Sequence, residues 1–132
     1  SAAAALMITS GDLDKGKELA VKIASQGEFM PWWHYVPLFI LNYTLGNYEQ
    51  ALYTTMRMRS RNNNFFYGPL FATATYARLN MLSEAEESLR EVLTLYPDFP
   101  AFGRRALRGI FFYEDTVEDF AKMLKGVGLH IS

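Results

Sequence analysis

The chain contains no cysteine, which excludes a disulfide framework and thiolate chemistry and is compatible with a reducing compartment; cytoplasmic placement is the expectation. Histidine is almost missing too. His34 and His130 lie far apart and, with no cysteine, supply neither a zinc-ligand set nor a Cys–His nucleophile pair. No phosphate-cradling glycine loop or dinucleotide fingerprint occurs, and Glu84, Glu86, Glu87 and Glu91 around Arg90 read as a solvated helix face, not as paired acid–base carboxylates. A non-catalytic chain without cofactor or metal is expected. A formal net charge of −1 gives no general pull on phosphate backbones or anionic lipid, so neither nucleic acid nor membrane is an expected partner. Charge is also missing from Phe29 to Tyr48, about 20 residues, the length of a bilayer-spanning helix. Pro31, Pro37, Asn42, Gly46 and Asn47 interrupt that run, which suits a helix covered on both sides by neighbours better than a membrane span. The start, Ser1 followed by Ala2 to Ala5, lacks a basic leader and looks like a helix cut part-way, so a fragment of a longer protein is expected.

What the chain does have is rings and a repeat. Its 132 residues are one domain's worth, half of them apolar, and they can bury a core without staples. Ten Phe, eight Tyr and two Trp are more rings than such a core requires, so some are expected to line a groove. The turn-and-helix design of Asn80 to Pro97 recurs at Gly46-Asn47-Tyr48-Glu49-Gln50-Ala51-Leu52 and, more faintly, at Gly11-Asp12-Leu13-Asp14, a spacing of about 34 residues. Units of that size are helix pairs that cannot hide their apolar faces alone.

Read in order, residues 1–28 form an incomplete first repeat, closed by Gly11 and capped by Asp12 or Asp14, with Leu19, Ala20, Ile23 and Ala24 inward. The second repeat, 29–63, opens at Pro31-Trp32, and Pro37 inside it predicts a kink or a late helix start. Its partner helix, Tyr48 to about Ser60, turns Ala51, Leu52, Thr55 and Met58 inward. The third repeat, 64–97, pairs a helix over 65–79 with one carrying Ala85, Leu89, Val92 and Tyr96 on one face; Ser83 and Glu86 read as its capping box, and Pro97 ends it. The period then fails. Residues 98–132 read as a degenerate capping hairpin, with Asp98 as cap, Phe102, Ala106, Leu107 and Ile110 inward, a second capping box at Asp115-Thr116-Val117-Glu118, and a frayed tail containing His130.

On these residues the chain resembles tetratricopeptide repeats over roughly residues 1–97. The match is carried by Ala85, Tyr76, Leu89 and Pro97 in the third repeat and Gly46, Tyr48 and Ala51 in the second, with departures at Gly16, Thr55 and Asn63. The second half, from Glu84-Ala85 through Tyr96-Pro97-Asp98-Phe99, Phe112 and Asp115 to Leu124-Lys125-Gly126-Val127-Gly128-Leu129, is similar to the repeat tail of bacterial class III adenylate cyclases and of some winged-helix transcriptional activators. The resemblance implies an all-α fold, a right-handed superhelical stack of antiparallel helix hairpins with a C-terminal capping hairpin, within a single domain spanning 1–132. It also implies a protein–protein interaction or regulatory role in a larger bacterial signalling protein, with no cyclase residues present here. The concave groove it implies would be lined by Trp33, Val36, Ile40, Tyr43, Tyr67, Leu70, Ala74 and Arg78. A protein or peptide is the expected partner. A regulatory sensor holding a small ligand in an aromatic groove is the alternative, and the apolar end of the cut first repeat could support a homodimer. Two arginine clusters, Arg57, Arg59 and Arg61 and then Arg104, Arg105 and Arg108, could hold an anion or be solvated faces paired with carboxylates.

Overall fold

A computed structural model describes residues 31–62, 64–111 and 113–132. The incomplete first repeat, with Gly11, Gly16 and the caps at Asp12 and Asp14, lies outside the described residues, as do Asn63 and Phe112. The described residues form one 3₁₀ turn and six α-helices and contain no strand, so the fold is all-α. They fall into two compact units, Ser1–Asn63 and Asn64–Ser132.

In the first unit a 3₁₀ turn at Trp32–His34 leads into α1 (Tyr35–Thr44), which packs against α2 (Tyr48–Arg61). The helix starts late, as one of the two outcomes expected from Pro37. Proline then occupies the first turn, where its missing N–H had no intrahelical acceptor to lose. At the end of α1, Gly46 adopts φ 78°, its N–H reaching the Tyr43 carbonyl (3.1 Å) while Asn47 reaches Asn42 (2.8 Å). This left-handed closure satisfies the last carbonyls of α1 and reverses the chain in three residues. Ala51, Thr54, Thr55 and Met58 are the buried stripe of α2. The threonine hydroxyls do not stay unsatisfied: Thr54 donates to Gln50 and Thr55 to Ala51, each at 2.9 Å.

The second unit contains α3 (Tyr67–Arg78), α4 (Leu82–Leu95), α5 (Phe99–Arg108) and α6 (Glu114–Val127). Between α3 and α4, Asn80 takes φ 59° and repeats the closure of Gly46, with Met81 N–H on Tyr76 (2.9 Å) and Asn80 N–H on Ala77 (3.2 Å). Asn tolerates this conformation better than other residues with a side chain. The closure hands the chain into α4 so abruptly that Leu82 is already helical, and Ser83 falls inside the first turn instead of capping it. No capping box forms there, nor at Asp115 to Glu118, because α6 begins at Glu114 and Glu118 is engaged elsewhere. Asp98 occupies the cap position of α5, without a side-chain cap bond.

Eight consecutive residues of α3, Gly68–Thr75, are buried, including Thr73 and Thr75, whose hydroxyls donate to Pro69 and Phe71 at 2.8 Å. Helix α4 buries one stripe, Ala85, Ser88, Leu89 and Val92, against α3. Helix α6 packs on α3, α4 and α5 through a core in which Phe111, Val117, Phe120 and Leu124 are buried. Gly128, at φ 110°, closes α6, and the chain then runs back along α5.

The tail expected to fray is tied down. Ser132 inserts its backbone into the α5 ladder: its N–H donates to the Pro100 carbonyl (2.8 Å) and its own carbonyl accepts from Arg104 N–H (2.9 Å). The rung that would join Arg104 to Pro100 is thus bridged by one tail residue, and the helix breaks beside it, with Phe102 at φ −123°, ψ 17°. Ile131 is buried against Gly103, where a Cβ would come 2.5 Å from the Ile131 Cβ. Among the described residues no helix is long and apolar enough to cross a membrane. The uncharged run around α1 is divided by the 3₁₀ turn and the Gly46 closure.

Candidate functional site

The residues assigned to a concave groove meet different fates. In the first unit Trp33 is exposed (52 %), Val36 and Tyr43 are half-buried and Ile40 is buried. In the second, Leu70 and Ala74 are fully buried, Arg78 is exposed and Tyr67 is half-buried. Ile40, Leu70 and Ala74 therefore present no side-chain surface to a partner. They face inward because α1 and α3 bury more than one stripe, which a helix apolar nearly all round does.

The arginine clusters divide likewise. Arg57 lies over the Tyr53 ring, 6.0 Å from its centre, and its hydrogen bond to Tyr35 holds its pKa above the ordinary arginine value. Arg104 pairs with Glu118 through two nitrogens (2.7 and 3.1 Å) and also donates to the Ile131 carbonyl. Arg108 pairs with Glu114 in the same forked manner (2.6 and 3.2 Å). Each pair is oriented by helix periodicity, which places residues four apart on α5 opposite residues four apart on α6. The carboxyls of Glu114 and Glu118 are held below their ordinary range, first by these hydrogen bonds.

Arg105 points elsewhere. It lines a cleft of about 640 Å³ in the second unit, together with Phe65, Phe66, Tyr67, Tyr96 and Phe102, completed by Asn64, Leu95 and Ala106. Three segments supply it: the approach to α3, the end of α4 and the broken middle of α5. Phe66 is the hub of the wall, its ring centre 4.4 Å from Tyr67, 4.9 Å from Tyr96 and 5.4 Å from Phe65. The Tyr67 hydroxyl donates to the Ala106 carbonyl (3.0 Å), tying α3 to α5 across the floor. Burial, then the neighbouring Tyr96, raises the Tyr67 pKa, so the phenol remains a neutral donor. Phe102 was expected inward. The α5 break instead leaves the residue 45 % exposed at the cleft.

Only Tyr67 belongs both to the expected groove and to the cleft. The aromatic run Phe65-Phe66-Tyr67 after the asparagines was the available signal for the rest, whereas Tyr96 read as a core position and Arg105 as one member of a cluster. Among the described residues no group of three or more His, Asp or Glu side chains is disposed to hold a metal ion. No protein-family model, curated protein or solved structure matches the chain.

Proposed function

We propose that this chain is a non-catalytic recognition domain of the tetratricopeptide kind, a regulatory attachment within a larger signalling protein, and that it takes up its ligand in the aromatic cleft. The repeat reading, with hairpins stacked in a right-handed superhelix and α5–α6 as its cap, is supported by matching local geometry about 34 residues apart. Gly46 and Asn80 make the same left-handed closure, and Ala51 and Ala85, each following it by five residues' reach into the next helix, are both fully buried.

The observation that carries the functional reading is the cleft itself. Five rings converge on a concavity whose volume is in the range of small-ligand sites. Convergence of rings and an arginine from three segments on one concavity favours the sensor over an apolar strip for a polypeptide. The test is a thermal-shift and titration screen of metabolites and short peptides against the chain and its Phe102→Ala and Tyr96→Ala variants. Binders that weaken in these variants, with the fold retained, support the reading; binders all indifferent to both substitutions refute it.

Exposure of Trp33 favours a second reading, protein–protein contact through the first unit. Trp33→Ala should then leave the melting curve unchanged and abolish association with the full-length protein's partner.

A further inference from the structure

We infer that the cleft is specific for a small organic anion: a flat apolar body that lies among the rings and one carboxylate, sulfonate or phosphate that meets Arg105. This rests on the cleft being the recognition site and adds the chemistry of what enters it. Arg104, Arg105 and Arg108 follow one another on a single short helix, yet they are used differently. Arg104 and Arg108 spend their forks on Glu118 and Glu114. Arg105 makes no ion pair or hydrogen bond with a described side chain and is the one charged residue in the cleft lining. Toward the described residues its guanidinium keeps all five donors, in the planar geometry that holds an oxyanion on two nitrogens.

The other polar groups fit the same ligand. Among the described residues no carboxylate lines the cleft to repel an anion or neutralise Arg105. The Tyr67 hydroxyl is already committed to Ala106, so it contributes an apolar face to the cleft, while the Tyr96 hydroxyl, without a hydrogen-bond partner among the described residues, remains a donor. Phe65, Phe66 and Phe102 offer faces and edges for stacking a flat body. A cation finds no countercharge among the described lining residues, and a fully polar solute would leave the rings uncovered.

The test compares two fluorescent probes with nearly the same aromatic body, 8-anilinonaphthalene-1-sulfonate and its uncharged counterpart N-phenyl-1-naphthylamine. Each is titrated into the whole chain and into Arg105→Gln, Phe102→Ala and Lys122→Gln, all exposed positions, the last outside the cleft and matching the charge change. Expected is saturable one-to-one sulfonate binding that weakens about tenfold in Arg105→Gln, weakens with salt and is unchanged in Lys122→Gln. The neutral probe should respond to Phe102→Ala and not to Arg105→Gln. If both probes bind alike, lose affinity in Phe102→Ala and ignore Arg105→Gln, the anion specificity is overturned while the cleft stands as a recognition site. If neither probe saturates, or neither responds to Phe102 or Arg105, both are overturned.

Discussion

Gly103 is a residue whose missing side chain has a visible use. Ile131 occupies the space, and because the nearest atom to an added methyl is the Ile131 Cβ at 2.5 Å, no rotamer change relieves the conflict. Gly103→Ala should force the tail out of its seat and cost about 1–2 kcal/mol, the overpacking penalty offset partly by alanine's better helix propensity. In an Ile131→Gly background the same substitution should cost nothing or stabilise. A denaturant double-mutant cycle measures this, and additive effects would mean that the tail is not held at Gly103. Ala85 offers a second residue-level test. It is fully buried where α4 meets α3, and Ala85→Leu should cost about 1–3 kcal/mol. A neutral result would mean that the helices do not approach closely at that position.

Helices α5 and α6 are joined by two exposed forked ion pairs, and their pH response has a definite sign. Glu114 and Glu118 have folded pKa values below their ordinary values, so the pairs contribute fully above the ordinary carboxylate range. That contribution is lost as pH falls through the lowered values. Arg108→Gln, which removes the Glu114 pair and leaves the Arg104 bond to the Ile131 carbonyl in place, should therefore lower the melting temperature slightly at neutral pH and converge on the parent in acid. An equal difference at pH 7 and pH 3 would show that Arg108 acts through packing alone. These helices also show what the sequence could and could not convey. Turn chemistry was legible at Gly46 and Gly128, because only a few residues accept positive φ, and the α4 stripe was legible in its spacing. The two capping boxes were not reliable, since a serine or aspartate three residues before a glutamate looks the same inside a first turn as at its start. The seating of the tail was illegible: its partner, Gly103, lies far upstream, and no local pattern announces that Ser132 will bridge a broken rung.

At the scale of the molecule, all-helical character followed from the period, but the cleft did not, because it is assembled from a loop, a helix end and a break that no single periodicity contains. Stability should be distributed just as unevenly. Helix α3 has a continuous buried segment over Gly68–Thr75, whereas α4 buries one stripe and α5 is interrupted at Phe102. Exchange of a helical amide requires opening, and opening costs most where every face loses its packing. Native-state hydrogen exchange should accordingly find the slowest amides in the middle of α3, intermediate protection in α4 and the fastest exchange in α5 around Phe102 and Arg104. A ligand in the cleft should slow α5 most, since Phe102, Arg105 and Ala106 belong to the one lining helix with an opened rung. Uniform protection across α3, α4 and α5 would show that the second unit opens only as a whole. In that case the α5 break is as firmly held as the core, and ligand binding would have little left to order.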